Sequence, residues 1–238
     1  MSIRAAPFGF HQVVFLSHVL GPDGPVFPGD PPVRVSTAAT IDRDGFFLQR
    51  FEAGEQAGTH WAAPAHFATG GASAGELDAA DFFFPAAVLD VRALTDGNAD
   101  FALSAADIAR WESAHGHVPE HAAVLLSTGY DGRWHDPAAY LGSGPDGRLH
   151  YPGFGADAAR FLVQRRGVGA LGTDTMGIDP GADSSFGANR VLLGGHRMHL
   201  ENLCGLDQLP ATGAWIVVGG VRIAGGSGSP ATVFGLVP

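Results

Sequence analysis

The chain has 238 residues and a net charge of −10, from 24 acidic and 14 basic side chains, and every basic one is Arg. Without Lys there is no Schiff-base chemistry and no Walker-type phosphate loop. The acidic balance argues against a nucleic-acid or anionic-membrane partner, since both need a basic face.

The single Cys204 excludes an internal disulfide and any multi-cysteine metal cluster. An apolar share of 45% against a charged share of 16% supplies ample material for a buried core, and nothing divides residues 1–238 into separate domains. Met1–Phe10 carries one Arg and no sustained apolar run, so it reads as no signal peptide. No apolar stretch reaches the roughly 18 residues of a membrane span. The expected compartment is the cytoplasm.

In chain order, Val13–Leu16 is a short apolar run and Pro22–Pro32 (PDGPVFPGDPP) a rigid turn-rich loop, because each Pro fixes φ and removes a donor. Arg34–Thr40 and Phe46–Phe51 predict strands; the pair Phe46-Phe47 fits either a core or an oligomer contact. Ala86–Val91 predicts a buried strand. Ser104–His115 predicts a helix with a Ser N-cap and Asp107, Ile108 and Trp111 at helical spacing. Ala122–Ser127 is a second buried strand, running into Thr128-Gly129-Tyr130. The Gly/Asp/Pro-rich stretch Asp131–Pro152 predicts a long surface loop.

Asp157–Arg166 predicts a helix with Ala158, Phe161 and Leu162 on one stripe and Gly167 at its end, followed by the strand Val168–Leu171. Ala214–Val221 and Thr232–Val237 are strands around the turn Gly225–Ser229. Strand, helix, strand order implies an α/β layer.

The informative segment is Glu55–Phe67, EQAGTHWAAPAHF, in which His60 and His66 flank a Pro beside a Gly-Thr turn. It resembles the signature of the cyclase family, which includes kynurenine formamidase, isatin hydrolase and trans-dienelactone hydrolase and whose motif reads His-x-Gly-Thr-His-x-Asp-x-Pro-x-His. Gly58, Thr59, His60, Pro64 and His66 match it. Further segments are similar in the family's order: Leu16-Ser17-His18 with Pro25–Asp30, Leu126–Tyr130, Gly172-Thr173-Asp174 with Ile178-Asp179, Glu201-Asn202-Leu203 with Leu206-Asp207 and Leu209-Pro210, and Gly225–Pro230. The resemblance implies an α/β fold of the swivelling β/β/α type in a single domain, and a homo-oligomer, dimer or tetramer.

Departures from the family's pattern fall on its metal ligands. Gln56 stands in the first His slot, Ala62 in the Asp slot and Asn189 in the slot of a downstream His, while His60, His66 and Glu201 are retained. A catalytic divalent ion normally has three strong protein ligands, and neutral amides and Ala do not replace imidazole and carboxylate. The reading that follows is a metal-independent enzyme, with no cofactor, acting on a small aromatic or polyketide-like carbonyl compound by ring closure, ring opening, isomerisation or dehydration. His60 and His66 then move protons, Glu201 assists as base or orienter, and Gln56 and Asn189 donate to a carbonyl oxygen. Trp61, Phe67 and the cluster Phe82-Phe83-Phe84 offer stacking surfaces and Tyr130 a pocket wall.

Two rivals stand beside it. One is a metal-dependent hydrolase of an amide or lactone, using zinc or manganese on a rearranged set of His60, His66, Glu201 and His199; His199 and Glu201 share a face of any extended segment. The plainer reading of His196 and His199 is surface or hydrogen-bonded loop residues. The other rival is a non-catalytic ligand-binding descendant. Asp174 and Asp179 follow a strand end, where either a site or turn capping fits. Cys204 reads as a small buried hydrophobe. The loops Gly70–Phe84 and Asp131–Pro152 are expected to line the pocket.

Overall fold

The computed structural model describes residues 9–145 and 147–238, so most of Met1–Phe10 lies outside the described residues. The chain begins with β1 (Gln12–Phe15), then β2 (Arg34–Ala39), the single turn α1 (Ile41–Asp44), β3 (Leu48–Glu52), β4 (His60–Ala62) and β5 (Phe83–Asp90). After α2 (Arg92–Thr95) and the two-residue β6 (Ala102–Leu103) come α3 (Ala105–His115) and β7 (Ala123–Ser127). A helix α4 (Pro137–Leu141), β8 (Gly153–Phe154), α5 (Ala156–Phe161), β9 (Ala170–Thr173), α6 (Gly187–Leu193) and β10 (Met198–Glu201) follow. The long strands β11 (Thr212–Gly220) and β12 (Gly228–Val237) complete the chain.

Seven strands close on themselves. The order runs β12-β11-β5-β7-β9-β10-β4, and β4 pairs back to β12, with β1 added to the outer edge of β12. The three pairings among β5, β7, β9 and β10 are parallel, and the rest are antiparallel. Period-two alternation sorts the side chains. Trp61, Phe84, Ala86, Val88, Leu125, Leu200 and Ile216 fill the barrel. Their neighbours Ala62, Ala87, Leu89, Val124, Leu126 and Leu171 face outward onto Ile108, Ala158, Ala159, Leu162 and Leu192 of the helices. The parallel strands are therefore buried on both faces, which explains the continuous apolar run AVLLS. This is the mixed α/β fold expected, with a closed barrel as its sheet.

Ser104 caps α3 as read, its hydroxyl accepting from the Asp107 N–H in a capping box. The helix expected over Asp157–Arg166 is α-helical only to Phe161 and widens to a π turn over Leu162–Arg166, closed by Gly167 at φ 61°. The stretch Asp131–Pro152 is more than a surface loop. It contains a 3-10 turn and α4, and Trp134, Tyr140 and Tyr151 join Tyr130 and Met176 in a satellite core. Three large aromatic residues within 22 positions need burial, and Gly and Pro between them only set the turns. The strand expected to start at Phe46 starts at Leu48, because Gly45 in the left-handed region ends α1 and the turn takes two more residues. Phe46 and Phe47 are not core residues: both are more than half exposed on the β2–β3 ribbon, whose strands pair only with each other. Among the described residues, no helix is long and apolar enough to cross a membrane.

Candidate active site

The site grows from the register of β4 against β10. His60 lies opposite Glu201, Trp61 opposite Leu200 and Ala62 opposite His199. Alternation then sends His60, His199 and Glu201 to the outer face and Trp61 and Leu200 into the barrel. His60 Nε2 is 3.2 Å from one Glu201 carboxylate oxygen and His199 Nδ1 3.3 Å from the other. All three residues are buried, and each offers a ligand atom within 4.8 Å of the others. His66, on the 3-10 turn after β4, edges onto the His199 ring at 5.7 Å.

Both buried imidazoles are held through Nδ1. The Gly58 carbonyl, 2.9 Å from His60 Nδ1, makes that nitrogen the donor, and Asn202 Nδ2 donates to the same carbonyl at 2.8 Å. Gly58 itself is required: its φ is +62°, and a Cβ there would meet Leu20 at 2.8 Å. Asn202 takes a left-handed φ of 56°, a region Asn enters more readily than most residues. Its side-chain oxygen also accepts from the Tyr140 hydroxyl. On the other strand, Asn189 Nδ2 donates to Asp179 at 2.8 Å, leaving Asn189 Oδ1 to accept from His199 Nδ1 at 2.7 Å.

What remains is a convergence of acceptors. With Nδ1–H committed on both rings, the lone pairs of a neutral pair sit on Nε2, and both Nε2 atoms are buried without a hydrogen-bond partner. Burial pushes the His199 pKa down to about 3, outweighing the Glu201 charge that would raise it. Burial works to raise the Glu201 carboxyl, and the Ile178 N–H, 2.8 Å away, with the His199 Nδ1–H, 3.3 Å away, works against it in favour of the carboxylate. A buried carboxylate that faces the His60 Nε2 lone pair at 3.2 Å, with the neutral His199 Nδ1–H and the Ile178 N–H as its donors, is an under-compensated negative centre, which is costly unless a cation answers it. The exposed His66 is also held below its ordinary value, by desolvation first.

Outside this centre lies a cavity of about 560 Å³. Phe27, Pro28, Phe67, Tyr151, Met176 and Phe186 form its apolar walls, with Asp30, Gln56, His66, Asp179 and Asn189 as polar points. His60, His66, Glu201, Gln56, Asn189 and Phe67 are thus brought together as the sequence suggested. Trp61 is not: one residue from His60 in a strand, it points into the barrel and stacks edge-on against Phe82. Tyr130 belongs to the satellite core and lies outside the cavity lining. The expectation that Gly70–Phe84 line the pocket also fails, because Phe82 and Phe84 pack on the barrel interior; Gly147, Arg148, Leu149 and Tyr151 of the other loop do line it.

Two further roles change. Each amide spends one of its two N–H groups inside the protein. Ser227 donates to Glu55 and so accepts from Gln56 Nε2, which leaves Gln56 Oε1 as a buried acceptor without a partner; the Asn189 amide donates to Asp179. His199 is not a surface loop residue but a fully buried member of the centre. His196 is exposed and pairs with Asp81. Asp174 caps the end of β7, accepting from the Thr128 and Gly129 N–H groups and the Thr128 hydroxyl. Burial raises the Cys204 thiol to about 11, which fits a passive residue.

Asp30, Tyr151, Met176 and Phe186 join the site without having stood out in the sequence. Of these, Asp30 in the Pro-rich loop had a signal, since a turn-fixed loop is a common carrier of site residues.

The Cyclase family model matches residues 14–180. The chain belongs to the Cyclase family. Among its relatives, the isatin hydrolase of Roseibium aggregatum is 34% identical, covering 95% of this chain and 92% of that protein. A kynurenine formamidase of Sphingopyxis alaskensis is 28% identical over 87% of this chain and 88% of its own. A solved isatin hydrolase bound to the product analogue thioisatinate superposes with a TM-score of 0.91 at 29% identity, over 95% of this chain and 92% of that one. This Cyclase-family chain is accordingly an enzyme of hydrolase type.

Proposed function

We propose that the protein is a divalent-metal-dependent hydrolase that opens a small aromatic cyclic amide of the isatin type or cleaves an aryl amide. The observation that carries the metal is the buried Glu201 carboxylate with His60 Nε2 3.2 Å from it and a second buried, partnerless nitrogen, His199 Nε2, in the same cluster. The three residues each offer a ligand atom within 4.8 Å of the others, and two His with one Glu is a ligand set that suits zinc or manganese. His60 Nε2, His199 Nε2 and Glu201 would hold the ion. When bound, it would polarise the scissile carbonyl and acidify the attacking water.

The chain's own residues supply the rest. The apolar walls, with Phe67 and Phe186 at ring centroids 5.6 Å apart, take up a flat ring and exclude water around it. Gln56 Oε1 accepts from the substrate N–H, an interaction open to an amide and closed to a lactone. His66 edges onto Phe67 and its ring carries no hydrogen bond among the described residues, so the ring is free to take a proton from water and return it to the leaving nitrogen. The metal-independent reading has less support. It leaves the buried carboxylate unanswered.

A homo-oligomer belongs to the same reading. The β2–β3 ribbon exposes Val35, Phe46, Phe47, Leu48 and Phe51, and a two-stranded ribbon is marginal on its own. The occupant we favour is a second copy of the chain. Sizing with light scattering tests this: a dimer or tetramer is expected, and a monomer at assay concentration rejects it.

The function is tested by stripping the protein with a chelator and assaying isatin-type cyclic amides and aryl formamides before and after adding zinc or manganese. Activity that disappears on stripping and returns with stoichiometric metal is expected. Full turnover in the stripped protein would return the assignment to the metal-independent reading. Loss of turnover in His66→Ala at unchanged metal content would separate the proton-moving role from metal binding, and reject the non-catalytic reading.

A further inference from the structure

Asn189 stands where the family's downstream His is expected, yet it lies beside the centre rather than leaving it vacant. Its amide is polarised from one end. Asp179 is a buried carboxylate that accepts three N–H groups: Ala188 N at 2.5 Å, Asn189 N at 3.1 Å and Asn189 Nδ2 at 2.8 Å. A carboxylate accepts only, so the NH2 end of Asn189 must face Asp179 and the oxygen end must face His199. The oxygen, 2.7 Å from His199 Nδ1, then demands a proton on that nitrogen. The lone pair of the neutral ring is left on Nε2, buried and without a partner.

We propose that Asp179 and Asn189 form a positioning relay that fixes the His199 tautomer with its lone pair on Nε2, and thereby sets the affinity of the His60–His199–Glu201 centre for a divalent cation. Neither residue touches the ion. The inference rests on the metal reading above, and it accounts for an apparent loss in the sequence: the slot gives up a ligand and gains control over another. His60 has the matching arrangement, with Asn202 holding the Gly58 carbonyl, but there a backbone oxygen already fixes the direction of the hydrogen bond. The His199 side takes its shorter contact, 2.7 Å against 3.3 Å to a Glu201 oxygen, from a side-chain amide that can turn over.

That dependence makes the relay breakable without removing a ligand. In Asp179→Asn, residue 179 can donate, the Asn189 amide can flip, and its NH2 then faces His199 Nδ1 and drives the proton to Nε2. Asn189→Ala removes the acceptor altogether. The double exchange Asp179→Asn with Asn189→Asp restores the polarity: the amide introduced at position 179 donates to the carboxylate introduced at position 189, and that carboxylate accepts from His199. Loss of an outer partner of a metal-ligating His typically weakens binding about ten- to a hundred-fold.

Two measurements decide it. The first is titration calorimetry of manganese or zinc into chelator-stripped protein. Asp179→Asn and Asn189→Ala should each raise Kd by about ten- to a hundred-fold, and the double exchange should recover most of that loss. Unchanged Kd in both single variants, with wild type binding tightly, overturns the relay and leaves the metal reading intact. The second is long-range ¹H–¹⁵N correlation of the His199 ring in metal-free protein, at a pH where the ring is neutral. The proton should sit on Nδ1 in wild type and move to Nε2 in Asp179→Asn. A wild-type proton on Nε2 overturns the relay outright. If wild type binds no divalent ion, the metal reading fails, and with it the affinity half of this proposal, while the ring spectrum still decides the tautomer half. Should Asp179→Asn fail to fold, Asn189→Ala and the wild-type spectrum decide the same question.

Discussion

The two faces of the β4–β10 pair differ completely although their residues alternate along the same seven positions. Inward, Trp61, Met198 and Leu200 are sealed in the barrel among Leu125, Phe84 and Ile216. Outward, His60, His199 and Glu201 are equally inaccessible, yet two imidazole nitrogens have no partner. Burial is similar on both sides, and each leaves nitrogen without a partner, Trp61 Nε1 inward and the two imidazole Nε2 atoms outward, but only the outer side also buries a carboxylate. The inner face stabilises the fold; the outer face holds an unanswered charge, which a protein keeps only where something binds.

The sharpest way to break the comparison is to remove the anion. Glu201→Gln keeps the shape and an acceptor for the Ile178 N–H, so turnover should fall by three orders of magnitude or more with its loss as metal ligand (on the order of 4 kcal/mol of barrier), while the melting temperature of metal-free protein holds or rises. Steady-state kinetics and calorimetry on one preparation check both halves. A large drop in melting temperature would make Glu201 a structural residue. On the inner face the signs reverse. Trp61→Ala should cost about 3–5 kcal/mol of stability by denaturant unfolding, and the folded fraction should keep its metal affinity. An equal loss of affinity would show that the faces are not independent.

A milder change tests the cavity. Phe67→Ala opens one apolar wall and should raise KM about ten-fold, roughly the value of part of a buried ring, with a smaller effect on kcat; an unchanged KM removes Phe67 from the substrate surface. The smallest effect lies away from both faces. Arg166 donates twice to Glu112, at 2.5 and 2.7 Å, tying the end of the π turn to α3 and holding the Glu112 carboxyl down at about 2. A depressed carboxyl contributes stability that is fully present above its ordinary value and disappears as pH falls towards 2. Wild type should therefore lose about 1–2 kcal/mol more than Glu112→Gln between pH 5 and pH 2.5. Parallel curves would contradict this.

Much of the architecture was legible. Continuous apolar runs marked the parallel strands, Ser104 marked the start of α3 and Gly167 the end of the π turn, because these signals are local. The family motif brought His60, His66 and Glu201 into one site. The misses share a cause: they depend on direction rather than identity. Trp61 neighbours His60 in sequence and opposes it in space, which the short length of β4 concealed. His199 shares the face of Glu201, as period two requires, but its burial depended on β10 lying between β9 and β4, a long-range pairing. For Gln56 and Asn189 the sequence named the residues but not their orientation, which is set by Ser227, 171 positions away, and by Asp179, ten positions away.

Everything turns on what occupies the space between His60, His199 and Glu201. Crystals of chelator-stripped protein, soaked in manganese or zinc and measured on both sides of the metal absorption edge, test this directly. An anomalous peak within coordination distance of His60 Nε2, His199 Nε2 and a Glu201 oxygen is predicted, and it should vanish in Glu201→Gln. Density there with no anomalous signal, in protein that still turns over substrate, would contradict it.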